Sequence, residues 1–163
     1  MSISVQVRAE VTVSETLSYP ALASNTPPLQ WSGFNLNKKL GESTTPPAVK
    51  HAEFVKALSG GAATIDLTSL TGQKGEAVTF SGLKVQAILL KNDAANGTIT
   101  VSKGASNGYG LDAGGADFDI PVAPGAALVM YFDDELPDVS GSAKTLDLAG
   151  TGTQSLQVAL AAG

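Results

Sequence analysis

The chain predicts an all-β fold, an antiparallel β-sandwich of jelly-roll type with about nine or ten strands and an extended Pro-rich arm near the N-terminus. Three observations carry this expectation. Odd positions at the start read Ile3, Val5, Val7, Ala9, Val11 and Val13 while even ones read Ser4, Gln6, Arg8, Glu10 and Thr12; this period of two marks a strand with one face on a core. Gly and Pro clusters recur every eight to twelve residues or so, the spacing of short strands in a sandwich or barrel. No segment holds a helical period well. The most ambiguous is Val49 to Leu58, which leaves room for one short helix. Residues 1–163 are expected to form a single domain, long enough to bury roughly two-thirds of the unfolded chain's surface.

Taken in order, the opening strand gives way to residues 19–48, read as an irregular Pro-rich arm or loop. There Tyr19-Pro20, Pro27-Pro28 and Pro46-Pro47 interrupt the pattern, and proline cannot donate to a sheet ladder. Leu29, Trp31, Phe34 and Leu36 form an apolar island within it. Strands are then expected at Val49–Leu58, Thr64–Leu67 and Val78–Phe80. Lys84–Lys91 is apolar on both faces and therefore central. Asn96-Gly97 reads as a hairpin turn into Thr98–Ser102. A glycine-rich loop spans Gly104–Gly115, followed by strands at Asp117–Val122, Ala126–Phe132, Lys144–Leu148 and Ser155–Leu160. The segments Thr64-Ile65-Asp66-Leu67 and Thr145-Leu146-Asp147-Leu148 echo one another, either as a trace of duplication or as two strands that begin after similar turns. The predicted core is Val5, Val7, Val11, Val13, Ile65, Leu67, Phe80, Val85, Leu89, Ile99, Val101, Phe118, Ile120, Leu128, Met130, Leu146, Leu148, Leu156, Val158 and Leu160.

Composition narrows the function. Ten Lys and Arg stand against fifteen Asp and Glu, so the chain lacks the positive charge that drives phosphate neutralisation, and nucleic acid is not an expected partner. No cysteine is present, which removes disulfides, thiolate metal sites and cysteine nucleophiles. The N-terminus lacks the pattern of a secretory signal, which points to synthesis in a cytoplasm. The longest apolar run, Ala126–Phe132, is far short of the roughly 20 residues of a membrane helix, so membrane insertion is not expected.

Residues able to do chemistry are sparse. His51 is the single histidine, and no Gly-x-Ser-x-Gly elbow accompanies it, so an enzyme is not expected. Gly108-Tyr109-Gly110 lacks the following helix that a dinucleotide loop needs. As a loop tip, Asn107 and Tyr109 are candidates for recognition; Tyr109 either stacks on a sugar or pins the loop. Asp133, Asp134, Glu135 and Asp138 are a calcium candidate by oxygen count, without the EF-hand spacing; the alternative is a solvated acidic loop. No other cofactor is expected. Trp31, Phe34 and Leu36 are the interface candidates: the arm either covers its own body or docks an aromatic anchor on a neighbouring subunit or host surface.

The run Thr64–Leu70, with Phe80-Ser81-Gly82-Leu83-Lys84-Val85-Gln86, Lys91-Asn92-Asp93, Ile99-Thr100-Val101, Gly104-Ala105-Ser106-Asn107-Gly108 and Val122-Ala123-Pro124-Gly125, resembles small β-rich accessory virion proteins of tailed bacteriophages. The resemblance covers roughly residues 60–163 and rests on turn chemistry and strand alternation. It implies a capsid decoration or cement protein, or a small tail-associated one, forming a symmetric homo-oligomer such as a trimer. Its partners would be phage capsid or tail proteins, and its location the virion. It assigns no catalytic residue. The rival expectation is a carbohydrate-binding β-sandwich module, or a tail-associated protein that recognises the host surface.

Overall fold

The computed structural model describes residues 4–15, 29–72, 74–112 and 114–163. Twelve strands are present among them: β1 (Ser4–Glu15), β2 (Leu29–Gly41), β3 (Lys50–Ala57), β4 (Ala62–Asp66), β5 (Leu70–Thr71), β6 (Ala77–Val78), β7 (Val85–Asn92), β8 (Ile99–Lys103), β9 (Asp119–Val122), β10 (Ala127–Tyr131), β11 (Thr145–Ala149) and β12 (Ser155–Ala162). The described residues contain no helix, and the segment Val49–Leu58 holds the strand β3, with Ala52 and the following Leu58 buried and Phe54 half-buried.

The body is two four-stranded antiparallel sheets, in the orders β10-β7-β12-β3 and β4-β11-β8-β9. Pairing is nested: β3 with β12, β4 with β11, β7 with β10 and β8 with β9. The first half of the body thus runs antiparallel to the second half in reverse order. The echoing segments Thr64–Leu67 and Thr145–Leu148 are accordingly neighbours, with Leu146 opposite Ile65 and the Thr64 hydroxyl donating to Asp147 Oδ1 at 2.7 Å.

Both sheets contribute to one core. Ile88, Leu90, Leu156, Val158 and Leu160 from one meet Ile65, Ile99, Val101, Leu146 and Leu148 from the other, and Phe80 and Tyr109 are buried with them. At this density, truncating a core leucine or phenylalanine costs about 2–5 kcal/mol. Val5, Phe118, Ile120, Leu128 and Met130 are half-buried. Leu89, expected inside, is instead 38 % exposed. On β7 the inward positions are Ile88, Leu90 and Asn92, so Leu89 faces out; with apolar residues on both faces, the sequence does not phase this strand.

Two turn readings need correction. Asn96-Gly97 is not a hairpin, because β7 and β8 belong to different sheets. A two-residue type I′ turn needs positive φ at both central residues, and neither Asn96 nor Gly97 has it. The crossover is held by side-chain amides: Asn92 Nδ2 donates to Gly97 O (2.9 Å) and Val122 O (2.8 Å), and Asn96 Nδ2 donates to Asn92 Oδ1 (2.8 Å) and Ser155 O (2.8 Å). The second correction concerns residues 19–48. Residues 19–28 fall outside the described residues, but Leu29–Gly41 is a strand paired antiparallel with β1. The register slips once, from Val11 opposite Phe34 to Val13 opposite Trp31, so β2 carries one extra residue at Ser32-Gly33. Such a bulge flips the phase of alternation. Leu29 and Trp31 fall on odd numbers and Phe34, Leu36 and Leu40 on even ones, which disguises a strand as an island.

Candidate functional site

The outward face of the β10-β7-β12-β3 sheet is ordered by cross-strand register into three rows. Tyr131, Ala87, Ala161 and His51 form the first; Val129, Leu89, Ala159 and Glu53 the second; Ala127, Lys91, Gln157 and Val55 the third. The β1–β2 hairpin covers the first. Val7 and Leu40 are buried against Ala87, Ala161 and Ala48, with Val5, Leu36 and Tyr131 packed alongside. Lys38 Nζ lies 5.4 Å from the centre of the Tyr131 ring, a cation–π contact of about 0.5–1 kcal/mol at a surface. Burial, the hydrogen bond to Asp133 Oδ1 (3.0 Å) and that carboxylate's charge push the Tyr131 hydroxyl up to about 12.

The second row is open. Leu89 and Val129 are each 38 % exposed, and Val55 in the third row is 63 % exposed. These are the large apolar side chains most exposed among the described residues, and all three lie on this face. Between the hairpin root and the second row runs a groove of about 280 Å³, lined by Val5, Val7, Leu89, Val129, Ala159 and Glu53 among others. Scattered exposed apolar residues are ordinary; three on one face beside a groove make this face the candidate contact surface.

Of the interface candidates, Leu36 packs half-buried against the hairpin root's cluster. Trp31 and Phe34 take register positions opposite Val13 and Val11 in β2; their side chains lie outside the described residues. The receiving rows were missed in the sequence. The signal was the doubly apolar β7 and the uncharged run Ala126–Phe132, whose outward positions become evident only once the sheet order is known.

Tyr109 does not stand at a loop tip. It is 0 % exposed, and its hydroxyl donates to Pro137 O (2.7 Å) and accepts from Val85 N (3.2 Å). Of the two readings of this ring, sugar stacking is lost and pinning stands. The flanking glycines explain the insertion: a Cβ on Gly108 would collide with the Gly104 carbonyl, and one on Gly110 with the Gly115 backbone. Only a residue without a side chain permits that approach. Burial pushes the Tyr109 hydroxyl up to about 12, partly offset by the Val85 bond. Asn107 is exposed with φ of 54°, and its carbonyl accepts from Lys144 N and Thr145 N.

Asp133, Asp134, Glu135 and Asp138 are all exposed and do not converge. Asp134 pairs with Lys84 at 3.4 Å and Asp133 accepts from Tyr131. Among the described residues, no three His, Cys, Asp or Glu side chains gather as metal ligands. His51 is exposed on β3 and lines the hydrophobic groove. A separate polar groove of about 620 Å³ is lined by Lys103, Gly108, Asp117, Phe118 and Asp119. Its cation is engaged: Lys103 Nζ lies 3.2 Å from Asp117 and donates to Gly115 O. No family model, no curated protein and no solved structure matches the chain.

Proposed function

We propose that this chain is a structural virion protein of a tailed bacteriophage, made in the host cytoplasm and carried on the particle as a capsid decoration or cement protein in a symmetric homo-oligomer. The observation that carries the reading is the long β1–β2 hairpin whose root is laid by its apolar residues on one sheet of a nested β body, beside an exposed row at Val129, Leu89 and Ala159. Such a layout serves contact between copies and with a particle surface, where an extended element docks onto a prepared face. The nested pairing of β3–β12, β4–β11, β7–β10 and β8–β9 supports reading the body as a jelly roll, an architecture of viral capsid and lectin domains. Fold analogy gives a class of role only; the sequence resemblance over residues 60–163 supplies the phage context.

Two measurements test it. Light scattering coupled to size exclusion should give a homo-oligomer; a trimer would weigh about 50 kDa, three times the 16.5 kDa chain. Purified chain should co-sediment with particles of the source phage that lack it. A monomer that ignores particles at high concentration would end the proposal. A carbohydrate-binding module is the second reading, favoured by the polar groove at Lys103, Asp117, Phe118 and Asp119. Glycan-array binding lost in Phe118→Ala but kept in Trp31→Ala would move the assignment there.

A further inference from the structure

We propose that the row Val129, Leu89 and Ala159 receives the distal part of the β1–β2 hairpin from a second copy of this chain. The inference rests on the homo-oligomer reading and names the surface through which copies engage.

The sheet face already accepts an apolar hairpin. In the first row, root positions Val5 and Val7 of β1, with Leu36 and Leu40 of β2, meet Ala87, Ala161 and Tyr131. The hairpin then continues in register through Glu10–Asn35, Val11–Phe34, Val13–Trp31, Ser14–Gln30 and Glu15–Leu29. From Ala9 to Glu15 this is roughly 20 Å of strand. Val11–Phe34 and Val13–Trp31 repeat the root's composition, an aliphatic β1 residue opposite a large apolar β2 residue, as in Val5–Leu40 and Ala9–Leu36. One chain thus carries two stretches of hairpin with paired apolar residues and two rows that are apolar across β10, β7 and β12, and its own root covers one row.

A second observation points to the same place. The adjoining strand β10 is the edge of its sheet, and Ala127–Tyr131 contains no charged residue. Exposed edges are usually blunted by charge, proline or a bulge. This one carries none of these, and its Val129 is the end of the open row. An uncharged edge next to the three uncharged positions Val129, Leu89 and Ala159, with Glu53 ending the row on β3, suits an apolar protein element. Donation of each hairpin to the next copy is a head-to-tail contact, which closes into a ring when the rotation permits.

The absence of cysteine makes the test direct, because any disulfide reports only on introduced thiols. Chains carrying Leu89→Cys and Val13→Cys are co-refolded, oxidised and resolved by mass. The expected product is a heterodimer linking the two variants, in at least tenfold excess over the Leu89→Cys homodimer. A dominant Leu89→Cys homodimer would mean that the open rows pack face to face, and no cross-link would mean that another partner covers them; either overturns the inference. In parallel, Leu89→Asp and Val129→Asp should weaken self-association at least tenfold with unchanged circular dichroism, since both sites are partly exposed and a fold failure in one leaves the other. If wild type is oligomeric and both variants keep its mass, this inference fails while the homo-oligomer stands. If wild type is monomeric, both fall.

Discussion

Replacing Tyr109 with Phe removes one oxygen atom from a fully buried ring and leaves the core volume nearly unchanged. The hydroxyl joins two backbone groups distant in sequence, donating to Pro137 O and accepting from Val85 N. It therefore ties the acidic loop to the first residue of β7. A backbone group left without its partner inside a protein costs about 1–3 kcal/mol. Because the 3.2 Å bond from Val85 is the weaker, we expect a total of about 2–4 kcal/mol. For a chain of this size that corresponds to a fall of roughly 5–15 °C in the melting midpoint. Urea unfolding followed by circular dichroism should show the midpoint falling with the slope unchanged, because the surface exposed on unfolding is the same. The variant should also flatten the alkaline limb. A tyrosine raised to about 12 contributes stability that is complete below pH 10 and lost as pH climbs through 12. Tyr131, raised similarly, is the control, since Tyr131→Phe leaves the Tyr109 contribution in place. A change within about 0.5 kcal/mol in Tyr109→Phe, the range of surface substitutions, would refute the pinning role.

Asn92→Ala should cost about 2–4 kcal/mol in urea unfolding, since it strands the carbonyls of Gly97 and Val122 and leaves the Asn96 amide only its bond to Ser155 O in the crossover. Asp66→Asn should flatten the acid limb of a stability-against-pH profile. Burial raises this carboxyl, but bonds from Lys144 and from Thr68 outweigh it and hold it below its ordinary value near 3.8. Its contribution is therefore full above about pH 4 and lost as pH falls through the lower folded value. Excess calcium should leave the melting midpoint where chelator leaves it, because a ligand bound only by the folded state would raise it and no three carboxylates gather in the acidic loop among the described residues. Ala161→Leu should loosen the hairpin root from the sheet. Faster proteolytic cleavage within β1 and β2, with the thermal transition of the body retained, is the expected readout.

What was legible in the sequence was whatever local alternation and turn chemistry determine. The alternation of Ile3 to Val13 marked β1, the polar interruptions bounded β8 through β12, and the Thr-Ile-Asp-Leu echo fell on two strands that turn out to be partners. What was not legible depended on long-range pairing. Six of the seven connections along the eight-stranded body change sheet, so a hairpin signature such as Asn96-Gly97 misleads: its geometry is decided by Asn92 reaching Val122, thirty residues away. β2 was hidden by one extra residue that inverts its phase. Tyr109 was ambiguous because a ring between glycines reads alike whether it points into solvent or into the core. The open row could not be phased locally, since β7 is apolar on both faces and Leu89 differs from Leu90 only in that the opposing sheet covers Leu90.

Side-chain size accounts for the position of the hairpin and so for what stays uncovered. Where the root lies, the two central strands present Ala87 and Ala161, both buried, and methyl groups let a second layer of backbone approach closely. One row further, β7 and the outer strand β10 present Leu89 and Val129, which would hold a root carrying valines and leucines away from the sheet. A hairpin placed there would need a different complement, with larger rings reaching between the aliphatic side chains, and that is what Phe34 and Trp31 bring to the distal register positions. The graded sizes along the face therefore distinguish two kinds of hairpin segment. Small residues hold the chain's own root, and the larger exposed ones are the positions at which the proposed contact with the distal hairpin of a neighbouring copy is to be tested.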